Sequence, residues 1–76
     1  MVALLKNAED GTLISTKVET AYYNNEEKEL YLSGNNYDFT IKGVDIYDAY
    51  DHIRNLYENG RTDLTQYEAS FDEDDE

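Results

Sequence analysis

Asp45, Asp48, Asp51 and Glu58 are the residues whose types and spacing point most directly to chemistry. Asp48, Asp51 or His52, Asn55 and Glu58 follow steps of three and four residues, which place the carboxylates on one side of a helix, with Cβ atoms one such step apart about 5–6 Å from each other. A second set, Glu26, Glu27 and Glu29, sits where a loop runs into a strand. Alternate strand residues such as Glu27 and Glu29 point the same way at a separation of about 6.6 Å. Both spacings approximate that of successive phosphates along a nucleic-acid strand, so a rigid array of this kind suits a basic groove built for DNA or RNA. Binding of that sort releases the groove's own anions and is steered at long range, which makes it fast and salt-sensitive.

Other chemistries lack their residues. There is no Cys, and the single histidine, His52, sits in a helical stretch with no Ser spaced for a dyad, so nucleophilic catalysis is not expected. His52 reads as a solvent-facing residue of the polar helix face, beside Asp48 and Asp51. Paired carboxylates are abundant, but acid–base work needs a cleft that raises one pKa, and a thin domain offers little room for one. Neither Glu9-Asp10-Gly11 nor Asn35-Asn36-Tyr37-Asp38 reproduces a calcium-loop spacing, and no glycine loop is built to cradle phosphate. The expectation is a protein that is not an enzyme and uses no metal or cofactor.

The charge balance favours a basic partner. Eighteen acids against six bases give a net charge of −12, beyond the magnitude of roughly 2–8 that keeps a small domain dispersed. The excess is uneven: residues 1–44 hold seven acids and four bases, residues 45–76 eleven acids and two bases. A merely solubilising helix face would intersperse Lys with Glu for small gains in helix stability. Residues 45–58 instead hold four acids and only Arg54. Nucleic acids and anionic membranes would repel such a surface. Five consecutive acids close the sequence, and Asp72, Glu73 and Asp74 with the two that follow read as a mobile extension of the same field.

Eight tyrosines exceed what a thin core can hold with every hydroxyl bonded. Tyr22 and Tyr23 are adjacent on one strand and must face opposite ways, and Tyr31 is out of phase with Leu30 and Leu32. Tyr22 and Tyr31 are therefore expected outside the covered face, as contacts to a partner or a second copy.

The elements that position these residues follow from the pattern. Leu4 and Leu5, the Asp10-Gly11 turn and Thr12-Leu13-Ile14 read as a first hairpin, or Leu4 and Leu5 begin a short helix. Residues 16–23 favour one strand and 28–33 a second, while 37–42 form a third with Tyr37, Phe39 and Ile41 inward. After Gly43 the period lengthens. Val44, Tyr47, Tyr50 and Leu56 or Tyr57, with Ile46, Ala49 and Ile53 beside them, predict the apolar side of a helix over residues 45–59, capped by Asp45 and stopped by Gly60. That helix should lie across the apolar face of the meander. Residues 61–71 read as a helical turn or an extended arm docking by Leu64, Tyr67, Ala69 and Phe71. The expected fold class is α+β: an antiparallel meander of three to four strands packed against one amphipathic helix, residues 1–71 forming one domain and 72–76 an acidic tail.

A small acidic chain with Tyr37-Asp38-Phe39-Thr40-Ile41 followed by an acidic helix ending at Asn59-Gly60 resembles the phage-encoded inhibitors of bacterial defence, the anti-CRISPR proteins above all. The resemblance covers size, charge and element order. It implies a DNA mimic that occupies the DNA-binding groove of a Cas nuclease in the host cytoplasm. The competing expectation is an acidic structural or adaptor protein whose helix and tyrosines form a homodimer or scaffold contact. Pairing is the staple left to a small chain with no disulfide or thiolate metal site. The opening residues carry no signal-like apolar stretch, and no apolar run approaches the roughly 20 residues of a membrane span.

Overall fold

A computed structural model describes residues 1–34 and 37–73. Its strands are β1 (Val2–Lys6), β2 (Leu13–Lys17), β3 (Thr20–Asn24), β4 (Glu29–Ser33) and β5 (Tyr37–Lys42), followed by α1 (Ile46–Asn59), β6 (Arg61–Asp63) and β7 (Ala69–Glu73). They form two sheets, ordered β2-β1-β6 and β3-β4-β5-β7. The meander β3-β4-β5 is antiparallel throughout, and β7 adds to it antiparallel to β5, with Phe39 opposite Phe71 and Ile41 opposite Ala69. The fold is α+β, one helix packed on sheets of three and four strands. No described helix is long and apolar enough to cross a membrane.

The two sheets share one core. Ala3 and Leu5 enter it from β1, Leu30, Leu32, Phe39 and Ile41 from the meander, and Val44, Ala49, Leu56 and Leu64 from the helical side. Alternation along each strand decides what is buried: Leu30 and Leu32 point in while Glu29, Tyr31 and Ser33 point out.

The expected strand over residues 16–23 is two strands in different sheets. Its apolar phase changes midway, with Ile14, Thr16 and Val18 turned toward the core on one side and Ala21 and Tyr23 on the other. At the crossing Val18 N–H donates to the Met1 carbonyl while Glu19 N–H donates to Ser33, so consecutive residues belong to different ladders. Leu4 and Leu5 lie in a strand, as the hairpin reading had it, with Leu5 opposite Ile14. What the hairpin lacked was β6, which joins β1 in parallel, Ala3 opposite Thr62. The segment after Gly60 is thus two strands rather than a helical turn, and β7 carries the backbone of Asp72 and Glu73 into the sheet. Asp74 and the two residues after it lie outside the described residues.

Helix α1 begins and ends where its caps place it. Asp45 is extended (φ −68°, ψ 151°) and its carboxylate accepts from Tyr47 N–H, satisfying one of the free amides of the first turn. Gly60 takes φ +81° and donates its N–H to the Leu56 carbonyl, a left-handed stop that a Cβ would strain. The helix rests on β6 and β3, so it closes one side of the shared core, while the three-stranded sheet takes part of the cover the helix alone was expected to provide.

Candidate functional site

The burial of α1 is centred on Ala49 and Leu56, with Ile53 and His52 half-buried beside them. At about 100° per residue, Ile46, Tyr47, Tyr50 and Tyr57 then fall on one flank, and Asp48, Asp51, Asn55 and Glu58 on the other. The three tyrosines are exposed by 78%, 63% and 59%. They were expected on the apolar side. Two apolar stripes were available on this helix, and the one through Ala49 and Leu56 is the one that packs on β3 and β6.

The acids of the helix are exposed, as expected, but each has a distinct local role. Asp45 is the cap. Asp48 accepts a hydrogen bond from the Tyr67 hydroxyl at 3.1 Å, and the Tyr67 phenol is pushed up by burial, by that bond and by the charges of Asp48 and Asp45. Glu58 pairs with Arg54 at 3.2 Å, which engages the only base of the helix. Asp51 makes no such bond and is exposed beside the tyrosines' flank.

Glu26 and Glu27 lie in the turn between β3 and β4, exposed, with both backbone amides bonded to the Asn24 side chain. That turn is tied to the start of the helix, since Val44 N–H donates to the Lys28 carbonyl at 3.1 Å. The Tyr23 hydroxyl reinforces the joint by donating to the Val44 carbonyl. The structure therefore brings the turn that carries Glu26 and Glu27 beside the N-terminal end of the helix at Asp45, while Asp51 and Glu58 lie farther along the helix. Glu29 departs from them. It points to the outer face of the meander directly opposite Lys42 and accepts the Tyr31 hydroxyl.

Tyr22 and Tyr31 meet on that same outer face, opposite each other across β3 and β4. Their rings stack at 4.9 Å between centroids, and Tyr22 is exposed while Tyr31 is half-buried. The hydrogen bond to Glu29 pushes the Tyr31 hydroxyl up to about 12, with burial and the charges of Glu29 and Glu27 adding to it. These tyrosines occupy a different surface from Tyr47, Tyr50 and Tyr57. Of the tail, Asp72 and Glu73 extend β7 beside β5, with Glu73 opposite Tyr37.

His52 is not solvent-facing. Its Nδ1 lies 2.8 Å from Thr62 Oγ1, a buried hydroxyl on β6, and its ring meets Tyr67 edge-on at 5.9 Å. Burial lowers its pKa despite the opposing charges of Asp48, Asp51 and Asp63. The residue ties helix to sheet.

Comparison with protein-family models, curated proteins and solved structures finds no match. The site must be read from its own chemistry. Among the described residues no three His, Cys, Asp or Glu side chains converge as metal ligands. What the helix and the 25–28 turn offer is a convex surface of carboxylates with an aromatic strip beside it. Such a surface can match charge in a basic groove and bury rings at its margin.

Proposed function

We propose that the protein is a non-enzymatic inhibitor that mimics nucleic acid and occupies the basic DNA- or RNA-binding groove of a target protein. The observation that carries this reading is the division of the exposed helix surface, Asp48, Asp51 and Glu58 on one flank and Tyr47, Tyr50 and Tyr57 on the other. Carboxylates supply steering and register, and tyrosines supply the desolvated contact that charge alone lacks. The neighbouring Glu26 and Glu27 lengthen the acidic array. The resemblance in size, charge and element order to anti-CRISPR proteins makes a Cas nuclease, in the cytoplasm of a phage host, the first target to test.

The test is a pull-down from host lysate at low salt, followed by a salt step and by competition with DNA or RNA. Recovery of a basic nucleic-acid-binding protein that nucleic acid displaces supports the proposal. An affinity for that target unchanged between low and high ionic strength sinks it. The exposed tyrosines also favour a second reading, an adaptor whose helix docks through its rings while the acids keep it dispersed. Asp48→Lys with Asp51→Lys separates the two, because an adaptor of this kind keeps its function and a mimic loses it.

A further inference from the structure

Strand β2 ends its sheet, and both sides of it carry uncovered apolar groups. On the outer face Leu13 is 69% exposed, with Leu4 on the neighbouring strand and Val2 beyond it also exposed. On the inner face Ile14 borders a cleft shared with Tyr37, Phe39 and Phe71, of which Tyr37 and Phe71 are exposed. The backbone of the strand is open as well. Asn7 N–H donates to Thr12 and Val18 N–H to Met1, so the even-numbered residues of β2 bond to β1, and by the alternation of antiparallel ladders Leu13 and Ser15 turn their N–H and C=O groups outward. No proline or bulge guards this edge, and Lys17 at its end is the single charged side chain of the strand.

The local charge identifies the occupant. In a chain of net charge −12, self-association is opposed wherever acids are displayed. Strands β1 and β2 contain Lys6 and Lys17 and no acid at all. A second copy therefore meets the least repulsion here, and an antiparallel strand edge is self-complementary about a two-fold axis. We propose that two copies of this chain pair through β2, Leu13 of one opposite Ser15 of the other and the two Ile14 residues face to face. The two sheets then continue as one, β6-β1-β2-β2-β1-β6. Both Leu13 side chains become diagonal neighbours on its outer face, and the cleft beside Ile14 is covered from the other copy.

This pairing leaves the helix tyrosines and the acidic flank free, and it is tested without any target protein. Sedimentation equilibrium of the full chain over rising salt should show a dimer that strengthens as salt screens the net like charge, the opposite of the behaviour expected for binding to a basic groove. Leu13→Lys, at an exposed position, should weaken the dimer at least about tenfold, and Ser15→Pro, which removes an outward N–H, should do the same. Hydrogen exchange on the unmodified chain provides a readout free of folding defects: the Leu13 and Ser15 amides should gain protection as protein concentration rises. A chain that stays monomeric at high salt overturns the proposal. So does a dimer that both variants leave intact, or one that disperses as salt is added, which would point to pairing of lysines with acids instead.

Discussion

Within a body of 30 × 24 × 24 Å, the exposed side of α1 with the 25–28 turn and the outer face of β2-β1-β6 are built on opposite plans. The first shows Glu26, Glu27, Asp48, Asp51 and Glu58 with three exposed tyrosines, and its one helical base is held by Glu58. The second shows Lys6, Lys17 and Arg61 around Val2, Leu4 and Leu13, with Asp63 the acid among them. Even that acid is engaged, its carboxylate accepting from the amide and hydroxyl of Thr65. The surfaces meet along a cleft lined by Val2, Leu4, Asn55, Asn59, Arg61 and Asp63. The contrast teaches that the net charge is allocated rather than spread. A chain selected only to repel its neighbours has no reason to keep one sheet to a single acid, Asp63.

The contrast breaks most visibly under charge reversal. Asp48→Lys with Asp51→Lys should lower affinity for a nucleic-acid-binding target by on the order of a hundredfold, whereas Lys6→Glu with Lys17→Glu should change it by less than about threefold. Competition binding at fixed salt reads both, with circular dichroism verifying the fold. Of comparable size is the difference between apolar side chains from the two regions. Leu56→Ala should cost about 2–5 kcal/mol because Leu56 is fully buried under the helix. Leu13→Ala should stay within about 0.5 kcal/mol in the monomer, and urea titration distinguishes them.

Gly60 joins the two regions, ending α1 one residue before β6 and accepting Val2 N–H on its carbonyl. Space around its Cα is open, but φ is +81°, so Gly60→Ala should cost about 1 kcal/mol through backbone strain alone. The smallest effect is a pH dependence. His52 is held neutral by burial, its pKa below the ordinary 6.5, so the unfolded chain takes up a proton before the folded one. Its stabilising contribution is therefore complete above about pH 6.5 and is lost as pH falls toward the lowered folded value. His52→Gln should flatten that part of the stability–pH curve, measured as urea midpoints against pH.

Much of this was legible in the residues. The meander showed in the alternation of Leu30 and Leu32 and of Phe39 and Ile41, and the helix in Asp45 and Gly60, because caps and period-two patterns are local signals. The division of residues 16–23 between two sheets was written only in a phase change around Val18, which a strand propensity cannot see. The parallel pairing of β1 with β6 had no local signature, since it joins Ala3 to Thr62 across nearly the whole sequence. For the site, exposure of the acids followed from their type. Exposure of Tyr47, Tyr50 and Tyr57 did not, because a helix with apolar residues around more than half its circumference leaves the choice of buried stripe to the neighbouring strands. His52 was misplaced for the same reason: its partner, Thr62, lies on a strand the local pattern did not reveal.

The parallel register of β1 and β6 also bears on how the chain is made. β1 lies at the centre of its sheet, yet Val2 meets Arg61 only after the meander and helix between them have been synthesised. On the ribosome, β1 and β2 emerge as a hairpin with an open edge on each side, and two strands alone are marginal in water. The last strand to leave the exit tunnel, β7, is also needed to complete the larger sheet. Folding of this domain is thus expected to finish only once β6 and β7 have emerged, and a nascent chain stalled before residue 61 should remain protease-sensitive, its apolar strands available to a chaperone.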